Sequence, residues 1–225
     1  GLRGKDRILV DPNGWATDGA VALDQWEPSP DGRRLAYAVQ DGGSDWRTIK
    51  VADVKSGQPL VDEIRWAKFT NIAWVGNEGF LYSRFAEPRK GEEFQALNEN
   101  QTLYFHRIGT PQEEDVAVYA TPDRPKLGHS AQVTHDNRWV VITSSEGTDE
   151  KHEINLISIS SSRGKLLPVE QWKRRTLVQG LEYDWQLIEG IGDQIWFVTN
   201  RDAPRLKIVK ADLTGEVAIF SDIIS

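Results

Sequence analysis

Residue types that could support hydrolysis are present in this chain, but not in the spacing that hydrolysis requires. A hydrolase nucleophile elbow has the pattern G-x-S-x-G at a turn from a strand to a helix. The nearest match is Gly42-Gly43-Ser44-Asp45-Trp46, which lacks the last glycine and lies between two predicted strands. We therefore predict that Ser44 caps its own turn and is not a nucleophile, and that this chain contains no catalytic residue.

Metal-binding and paired-acid chemistry are also poorly supported by the sequence. The four histidines are scattered over predicted strands and turns, and His152-Glu153 does not extend to the H-E-x-x-H zinc motif. The chain has no cysteine, which excludes disulfides and cysteine-ligated zinc. Glu92-Glu93 and Glu113-Glu114-Asp115 could be read as the paired acids of a propeller glycosidase or lactonase. Acidic residues in polar insertions are mostly solvated, so we expect no such site, no metal and no cofactor.

Charge and composition exclude several classes of partner. The 225 residues include 27 basic and 34 acidic side chains, a formal net charge of -7, whereas nucleic-acid binders usually carry a basic face. The only dense basic cluster, Lys173-Arg174-Arg175, is interpreted as a solvated face. No apolar run approaches the roughly 20 residues of a membrane span, so neither nucleic acid nor membrane is expected. The sequence leaves the compartment open between the cytoplasm and the bacterial periplasm.

The elements that must position any functional residue are short strands joined by tight turns. In the stretch 29–60, Asp31-Gly32 is a two-residue hairpin signal, and residues 35–39 alternate as in a half-buried strand. Residues 42–45 break that strand, and a second alternating run covers 49–53. A further turn and a fourth strand complete the unit. Four antiparallel strands in one sheet form one blade of a β-propeller.

The same unit recurs along the chain. The hairpin anchors Asp31, Asn77, Asp136 and Asp193 are 46, 59 and 57 residues apart, which are typical distances for blades with loop insertions. A β-sandwich of similar strand count is the alternative, but every unit repeats the order loop, hairpin, long loop, hairpin. The predicted blades cover residues 20–62, 66–121, 128–180 and 183–225.

The ends of the chain suggest a piece of a larger ring. Residues 7–10 read as a lone strand, and we assign 1–12 as the last strand of a preceding blade. The chain lacks methionine, as a mature or excised polypeptide would. Because propellers avoid open sheet edges by closing radially, the fold class expected is all-β, an arc of about four blades of a propeller.

Three segments resemble one enzyme family. They are Asp11-Pro12-Asn13, the run 43–51 (GSDWRTIKV) and the run 105–115 (FHRIGTPQEED). On these motifs the chain resembles prolyl oligopeptidases (prolyl endopeptidases), and residues 11–85 look especially like the bacterial members. The resemblance extends more weakly over essentially all 225 residues.

The resemblance implies an architecture and an activity. Members of the family carry a seven-bladed propeller over an α/β-hydrolase domain and cleave short peptides after proline with a Ser-Asp-His triad. It implies that the hydrolase domain and its triad lie beyond this chain, which is therefore inactive by itself. The expected partners are a peptide substrate and the α/β-hydrolase domain of the same protein.

The resemblance also points to individual residues. Phe69 matches an aromatic residue in the pocket for the substrate residue two before the scissile bond. Thr148 matches a position on the same wall that is cysteine in other members, and Gly128 matches a third wall position, where the missing side chain makes the pocket roomier. Asp45 and Trp46 match the loop that faces the hydrolase domain. The residues alone favour a core aromatic at Phe69, and only the resemblance moves it to the pocket, whereas Trp46 reads as either core or interface.

A second hypothesis remains open at this stage. A stand-alone propeller that acts as a binding module has the same blade pattern, since propellers serve many functions. It would require a closed ring without exposed sheet edges. The lone strand near Ile8 and the missing methionine argue against it.

Overall fold

The computed structural model describes residues 6–42, 44–91, 97–159, 161–162 and 165–224. The possible acid pair Glu92-Glu93 lies outside the described residues. Strands dominate the described chain, and its only helices are three short 3-10 turns. These turns are Pro12–Gly14, Gln112–Glu114 and Val169–Gln171.

Sixteen of the strands form four antiparallel groups of four, each in simple sequential order. The first group is β1 (Ala22–Pro28), β2 (Arg34–Gln40), β3 (Arg47–Asp53) and β4 (Pro59–Ala67). The second is β5 (Ala73–Val75), β6 (Gly79–Arg84), β7 (Thr102–Arg107) and β8 (Val116–Tyr119). The third is β9 (Leu127–Val133), β10 (Trp139–Glu146), β11 (Glu153–Ser158) and β14 (Lys173–Val178). The fourth is β15 (Trp185–Ile191), β16 (Gln194–Thr199), β17 (Lys207–Asp212) and β18 (Ile219–Ile224).

Two details complete the topology. A small hairpin of β12 (Ser161–Ser162) and β13 (Lys165–Leu166) is inserted between the third and fourth strands of the third group. The first two groups are joined through the pairing of Ala67 with Arg84, so the sheet runs from one into the other. We call the four groups blades 1 to 4, because each has the strand order of a propeller blade.

Among the described residues, three hydrophobic cores lie between successive blades. One core joins β2, β3 and β4 to β5 and β6, the next joins β6 and β7 to β9 and β10, and the third joins β10 and β11 to β15, β16 and β17. Neighbouring residues of one strand enter different cores, as Tyr82 and Leu81 of β6 do. A β-sandwich would have one core between two sheets, so the predicted propeller class is confirmed.

The hairpin residues that marked the repeat in the sequence also connect the blades. The Asp31 N–H donates to the Asn77 side chain at 3.0 Å, and the Gly76 N–H donates to the Asn137 side chain at 2.8 Å. In the next pair of blades the Gly192 N–H donates to Asp136 at 2.7 Å. Neighbouring hairpins are therefore hydrogen-bonded to each other. The side chains of Asn77 and Asp136 accept across the blades, whereas the Asp31 side chain accepts within its own turn.

Strand direction divides the loops between two rims. Residues Ala22, Gln40, Arg47 and Ala67 lie at one end of blade 1, and that end meets the end of β6 through Ala67 and Arg84. We call this end the loop rim. It carries residues 41–42 and 44–46, 68–72, 85–91, 97–101, 120–126, 147–152, 179–184 and 200–206. We call the opposite end the hairpin rim. It carries the remaining turns, such as those between β1 and β2, between β3 and β4, and between β15 and β16.

The predicted strand at residues 7–10 is not formed. Residues 6–11 have no strand hydrogen bonds, and the Arg7 guanidinium instead donates to the carbonyls of Val54 and Lys55. A strand requires a partner strand, and blade 1 presents only a turn to this segment. Its assignment to a preceding blade remains a prediction.

A buried ionic network joins blades 1 and 2. His106 on β7 has no exposed surface, and its two ring nitrogens lie 2.9 Å from Asp62 Oδ1 and 2.6 Å from Asp115 Oδ1. Asp62 belongs to β4 of blade 1 and also accepts from the Gly109 N–H at 2.5 Å. The Tyr82 hydroxyl donates to the other Asp115 oxygen at 2.5 Å.

The network keeps His106 charged. Burial opposes the imidazolium, but the hydrogen bonds and charges of Asp115 and Asp62 outweigh it and raise the pKa of His106 to about 9. The pKa of Asp62 is lowered, because its hydrogen bonds to His106 and to the Gly109 N–H outweigh the effect of burial. The pKa of the Tyr82 phenol is raised by burial and by Asp115. His106 is therefore a structural residue whose two ring nitrogens are both hydrogen-bonded.

The His106 network predicts an unusual titration. The pKa of His106 is raised above its unfolded value of 6.5, so its stabilising contribution is complete below pH 6.5 and is lost as the pH rises through about 9. We expect the free energy of unfolding to decrease by at most about 3 kcal/mol over this range. Histidine-selective NMR of the labelled protein should show one imidazole titrating near pH 9, and His106→Asn should remove that signal.

A contrary result is easy to recognise. If every imidazole titrated between about pH 6 and 7, as unperturbed histidines do, His106 would not be held as a cation by its two carboxylates.

Candidate functional site

The five residues singled out from the sequence lie on the loop rim or at its edge. Asp45 and Trp46 are in the β2–β3 loop of blade 1, and Phe69 is in the connection from blade 1 to blade 2. Gly128 is the second residue of β9, and Thr148 is in the β10–β11 turn of blade 3. The topology therefore brings residues from three blades to one side of the molecule.

Phe69 is displayed from a tightly held backbone. Its side chain is half-exposed, and its φ of 50° is in the left-handed region that non-glycine residues rarely adopt. Trp66, three residues earlier, has a φ of 62°. Two aromatic residues in this conformation within four positions mark a strained segment, and such strain tends to occur at functional sites.

Hydrogen bonds from three blades hold the segment that carries Phe69. The Ser83 N–H donates to the Thr70 hydroxyl at 2.6 Å, and Gln25 of blade 1 donates to the Thr70 carbonyl at 2.9 Å. The Asn71 side chain donates to the Ala131 carbonyl of blade 3 at 2.6 Å. The backbone around Phe69 is thus fixed from both sides, which is what a left-handed phenylalanine requires.

Lys68 links Phe69 to the Asp45–Trp46 loop. The Lys68 Nζ lies 4.9 Å from the centre of the Trp46 ring and 5.0 Å from the centre of the Phe69 ring, and 3.8 Å from Asp45 Oδ2. Trp46 itself is buried, with its ring in edge contact with Trp66 at 5.6 Å. Asp45 is exposed, so only Asp45 of this predicted pair reaches the surface of the rim.

Gly128 is connected to Phe69 through Gln101. The buried Gln101 side chain donates to the carbonyls of Lys68 and Phe69 at 2.8 and 3.2 Å. Its oxygen accepts from the His129 N–H at 2.6 Å. A Cβ at Gly128 would lie 3.4 Å from this oxygen, which is ordinary contact, so the position is open but is not needed for close backbone packing.

His129, beside Gly128, is held neutral. Burial and the charge of Arg124 lower its pKa to about 4, against the opposing effect of Glu153. Its ring nitrogens lie 2.8 Å from the Ser144 hydroxyl and 3.2 Å from the Thr121 hydroxyl. The residue next to Gly128 is therefore an uncharged imidazole with both ring nitrogens in hydrogen bonds.

Thr148 does not share these contacts. Its side chain is exposed in the turn that follows β10, and the hydrogen bonds, ion pairs and ring contacts that join the other candidates within the described residues do not include it. The structure thus brings Asp45, Trp46 and Phe69 together directly and Gly128 indirectly, while Thr148 shares only the rim.

The other candidate chemistries are not assembled. The Ser44 hydroxyl is used within its own turn, where it accepts from the Trp46 N–H at 3.3 Å, as predicted. Asp115, which the sequence placed in a possible group of catalytic acids, is instead hydrogen-bonded to His106. In the part of the chain that the structure describes, no group of three or more His, Cys, Asp or Glu side chains could hold a metal. No helix among those residues has the length and apolar character to cross a bilayer.

The basic cluster of the sequence is partly used by the fold. Arg175 donates to the carbonyls of Leu213 and Gly215 at 3.2 and 3.3 Å, and so ties blade 3 to blade 4. The Arg174 guanidinium lies 5.4 Å from the centre of the Tyr119 ring. Two of its three cations therefore make contacts within the protein.

Comparison with known families decides which proteins this chain is related to. The family model described as the prolyl oligopeptidase N-terminal beta-propeller domain matches residues 2–224. This chain belongs to the prolyl oligopeptidase family. The resemblance predicted from the sequence, and the propeller class that it implied, are confirmed for this propeller domain.

Individual relatives agree with the family match. The prolyl endopeptidase of Elizabethkingia meningoseptica is 27% identical over 227 residues, which cover 99% of this chain and 30% of that protein. The dual-function macrocyclase-peptidase of Galerina marginata is 29% identical over 229 residues, which cover 96% of this chain and 31% of that protein. The chain thus spans about 30% of the length of these curated relatives.

Solved structures give the same result. A structure from a study of two prolyl endopeptidases and their inter-domain dynamics is 49% identical, with a TM-score of 0.86, and covers 98% of this chain and 30% of that chain. Prolyl oligopeptidase B from Galerina marginata, bound to a 35mer hydrolysis and macrocyclization substrate, is 28% identical, with a TM-score of 0.85. That match covers 96% of this chain and 30% of that chain.

Two residues of the rim were not identified from the sequence. Lys68 precedes Phe69 but reads as an ordinary surface lysine, and Gln101 follows a polar insertion that reads as a surface loop. A signal existed only for Lys68, since a lysine beside an aromatic residue can form a cation–π contact. Gln101 acts on carbonyls 32 and 33 residues away, and no local pattern indicates that.

The geometry around Gly128 predicts that a small side chain is tolerated there. We expect Gly128→Ala to change the free energy of unfolding by less than about 1 kcal/mol, because the new Cβ makes only ordinary contact. Gly79→Ala is the matched comparison, because its Cβ would lie 2.1 Å from the His106 carbonyl oxygen. It should destabilise the protein by about 3 kcal/mol. Denaturant unfolding of both variants tests this, and a larger loss at Gly128 than at Gly79 would contradict it.

Proposed function

We propose that this chain is the substrate-gating part of a serine-type prolyl endopeptidase, which cleaves short peptides after proline. The observation that carries the proposal is the single rim to which the candidate residues from three blades are brought, in a propeller domain of this family. The α/β-hydrolase domain of the same protein supplies the Ser-Asp-His triad and lies outside these 225 residues. The propeller covers the active site and excludes folded proteins.

Phe69, Gly128 and Thr148 form a wall of the substrate pocket in this proposal. The half-exposed phenyl ring provides an apolar platform for the peptide residue two positions before the scissile bond. A proline-containing peptide has little conformational entropy to lose on binding such a platform. Gly128 leaves room beside it, and Thr148 contributes from the neighbouring turn.

Asp45 and Trp46 form the loop that faces the hydrolase domain. The Asp45 side chain is 60% exposed and provides the surface that contacts the hydrolase domain. The buried Trp46 packs against Trp66 and anchors the loop to the blade. A loop that faces a second domain is consistent with the solved relatives, since one of them was studied for the role of inter-domain dynamics in catalysis and specificity. Two other solved structures are of a prolyl oligopeptidase bound to peptide substrates of 35 and 25 residues.

The same proposal includes the arrangement of blades. Blades 20–62, 66–121, 128–180 and 183–225 form an arc of a seven-bladed ring, and residues 1–12 complete a preceding blade. Support comes from the strand groups and from relatives about three times longer than this chain. A stand-alone binding module is the less favoured hypothesis for the same reason.

The pocket assignment predicts the kinetic effect of removing the ring. Phe69→Ala in the full-length protein should raise KM for Gly-Pro chromogenic peptides by about tenfold, because the lost contact is made equally with the bound substrate and with the transition state. The value of kcat should change by less than about threefold. Steady-state kinetics with several proline-containing peptides measures both.

Val61→Ala is a suitable control, since Val61 is an exposed apolar residue on the outer strand β4, outside the proposed pocket. It should leave KM unchanged. An unchanged KM for Phe69→Ala with every peptide would remove Phe69 from the pocket. A full-length protein that cleaves no prolyl peptide would overturn the proposed activity itself.

A further inference from the structure

Lys68 is an unusual lysine for its position. It lies on an exposed rim, yet the residue is only 9% exposed and its ammonium is directed at two aromatic rings. Solvated lysines extend into water, because the ammonium is strongly hydrated. An ammonium held over Trp46 and Phe69 within 5.0 Å of both ring centres forms cation–π contacts instead.

The other contacts of Lys68 hold it in place. The Asp45 carboxylate lies 3.8 Å from its Nζ and supplies the countercharge. Its own carbonyl accepts from Gln101, whose side chain also reaches the Phe69 carbonyl. Both ends of Lys68 are therefore restrained, the backbone by Gln101 and the ammonium by Asp45 and Trp46.

Phe69, in contrast, is restrained only in its backbone by the hydrogen bonds of the rim. Gln101 holds its carbonyl and leaves the side-chain torsions free. The residue is half-exposed, so contacts with the rest of the protein cover only about half of its surface. Among the ring contacts in the described chain, the one from Lys68 is the contact that reaches the Phe69 ring.

We propose that Lys68 is a positioning residue for Phe69, whose ring it orients toward the substrate by a cation–π contact. The inference rests on the proposed function, because it assigns Lys68 a role at the same pocket. The ammonium occupies part of the ring, and the exposed part remains for an apolar group of the peptide. Without Lys68 the ring samples several rotamers, and substrate binding must then order it, which raises KM.

A double-mutant cycle in the full-length protein tests this role. Lys68→Met keeps the length of the side chain and removes the charge, and we expect it to raise KM about fivefold, with kcat within about twofold. In the Phe69→Ala background the same change should raise KM by less than about 1.5-fold, because the ring on which Lys68 acts is gone. Lys68→Arg should restore KM to within about twofold of the wild type, since a guanidinium also forms cation–π contacts.

Lys55→Met is the matched control. It removes one positive charge from the exposed β3–β4 turn on the opposite rim, and it should leave KM unchanged. Equal effects of Lys68→Met in both backgrounds would overturn the inference. So would a Lys68→Arg variant as impaired as Lys68→Met.

A crystal structure of the full-length Lys68→Met variant provides a readout independent of activity. We expect the Phe69 ring in more than one rotamer, with the Trp46 ring and the backbone of 68–72 unchanged. A single Phe69 rotamer identical to the wild type would overturn the role of Lys68. A wild-type protein without prolyl peptidase activity would overturn the proposed function instead, and the state of the ring would still decide the role of Lys68.

Discussion

Blades 2 and 3 are apolar on both faces, and both faces are buried because a blade lies on either side of each. Side chains alternate along a strand, so one strand serves two cores, as Tyr82 and Leu81 of β6 do. A shift of one residue in the pairing would exchange the two sets of side chains. The Asp and Asn hairpin contacts between neighbouring blades therefore have a specific task, since they hold adjacent sheets in one relative position.

The network of His106, Asp62 and Asp115 adds a second connection between blades 1 and 2. Burying three ionisable groups is costly, and an ion pair in the interior is weak support for stability by itself. The network acts on geometry instead, because an arrangement that separates one member from the others leaves an unpaired charge in the core. The network consequently favours one arrangement of β4 against β7 over others of similar apolar packing.

This rigid scaffold explains how the loop rim can hold strained residues. A left-handed backbone at Trp66 and at Phe69 costs about 1–2 kcal/mol at each position. The connection between blades 1 and 2 keeps this conformation because hydrogen bonds from Gln25, Ser83 and Gln101 reach its backbone and the Thr70 side chain. The result is an aromatic ring presented at a fixed place on the rim, with a lysine beside it.

The sequence by itself determined the fold class, the repeat and the family. Alternation, turn residues and motifs such as GSDWRTIKV are local signals, and each can be read within one blade. The described residues 6–11 form no strand, because strand formation depends on a partner strand that no local pattern reveals, and their place in a preceding blade stays a prediction. Only the tertiary structure decided that Lys68 orients its charge toward Trp46 and Phe69, and that Gln101 connects Phe69 with the start of β9. The reason is physical: the contacts of Gln101 join different blades across about thirty residues of chain, and a left-handed backbone at Phe69 follows from long-range hydrogen bonds rather than from its own preference.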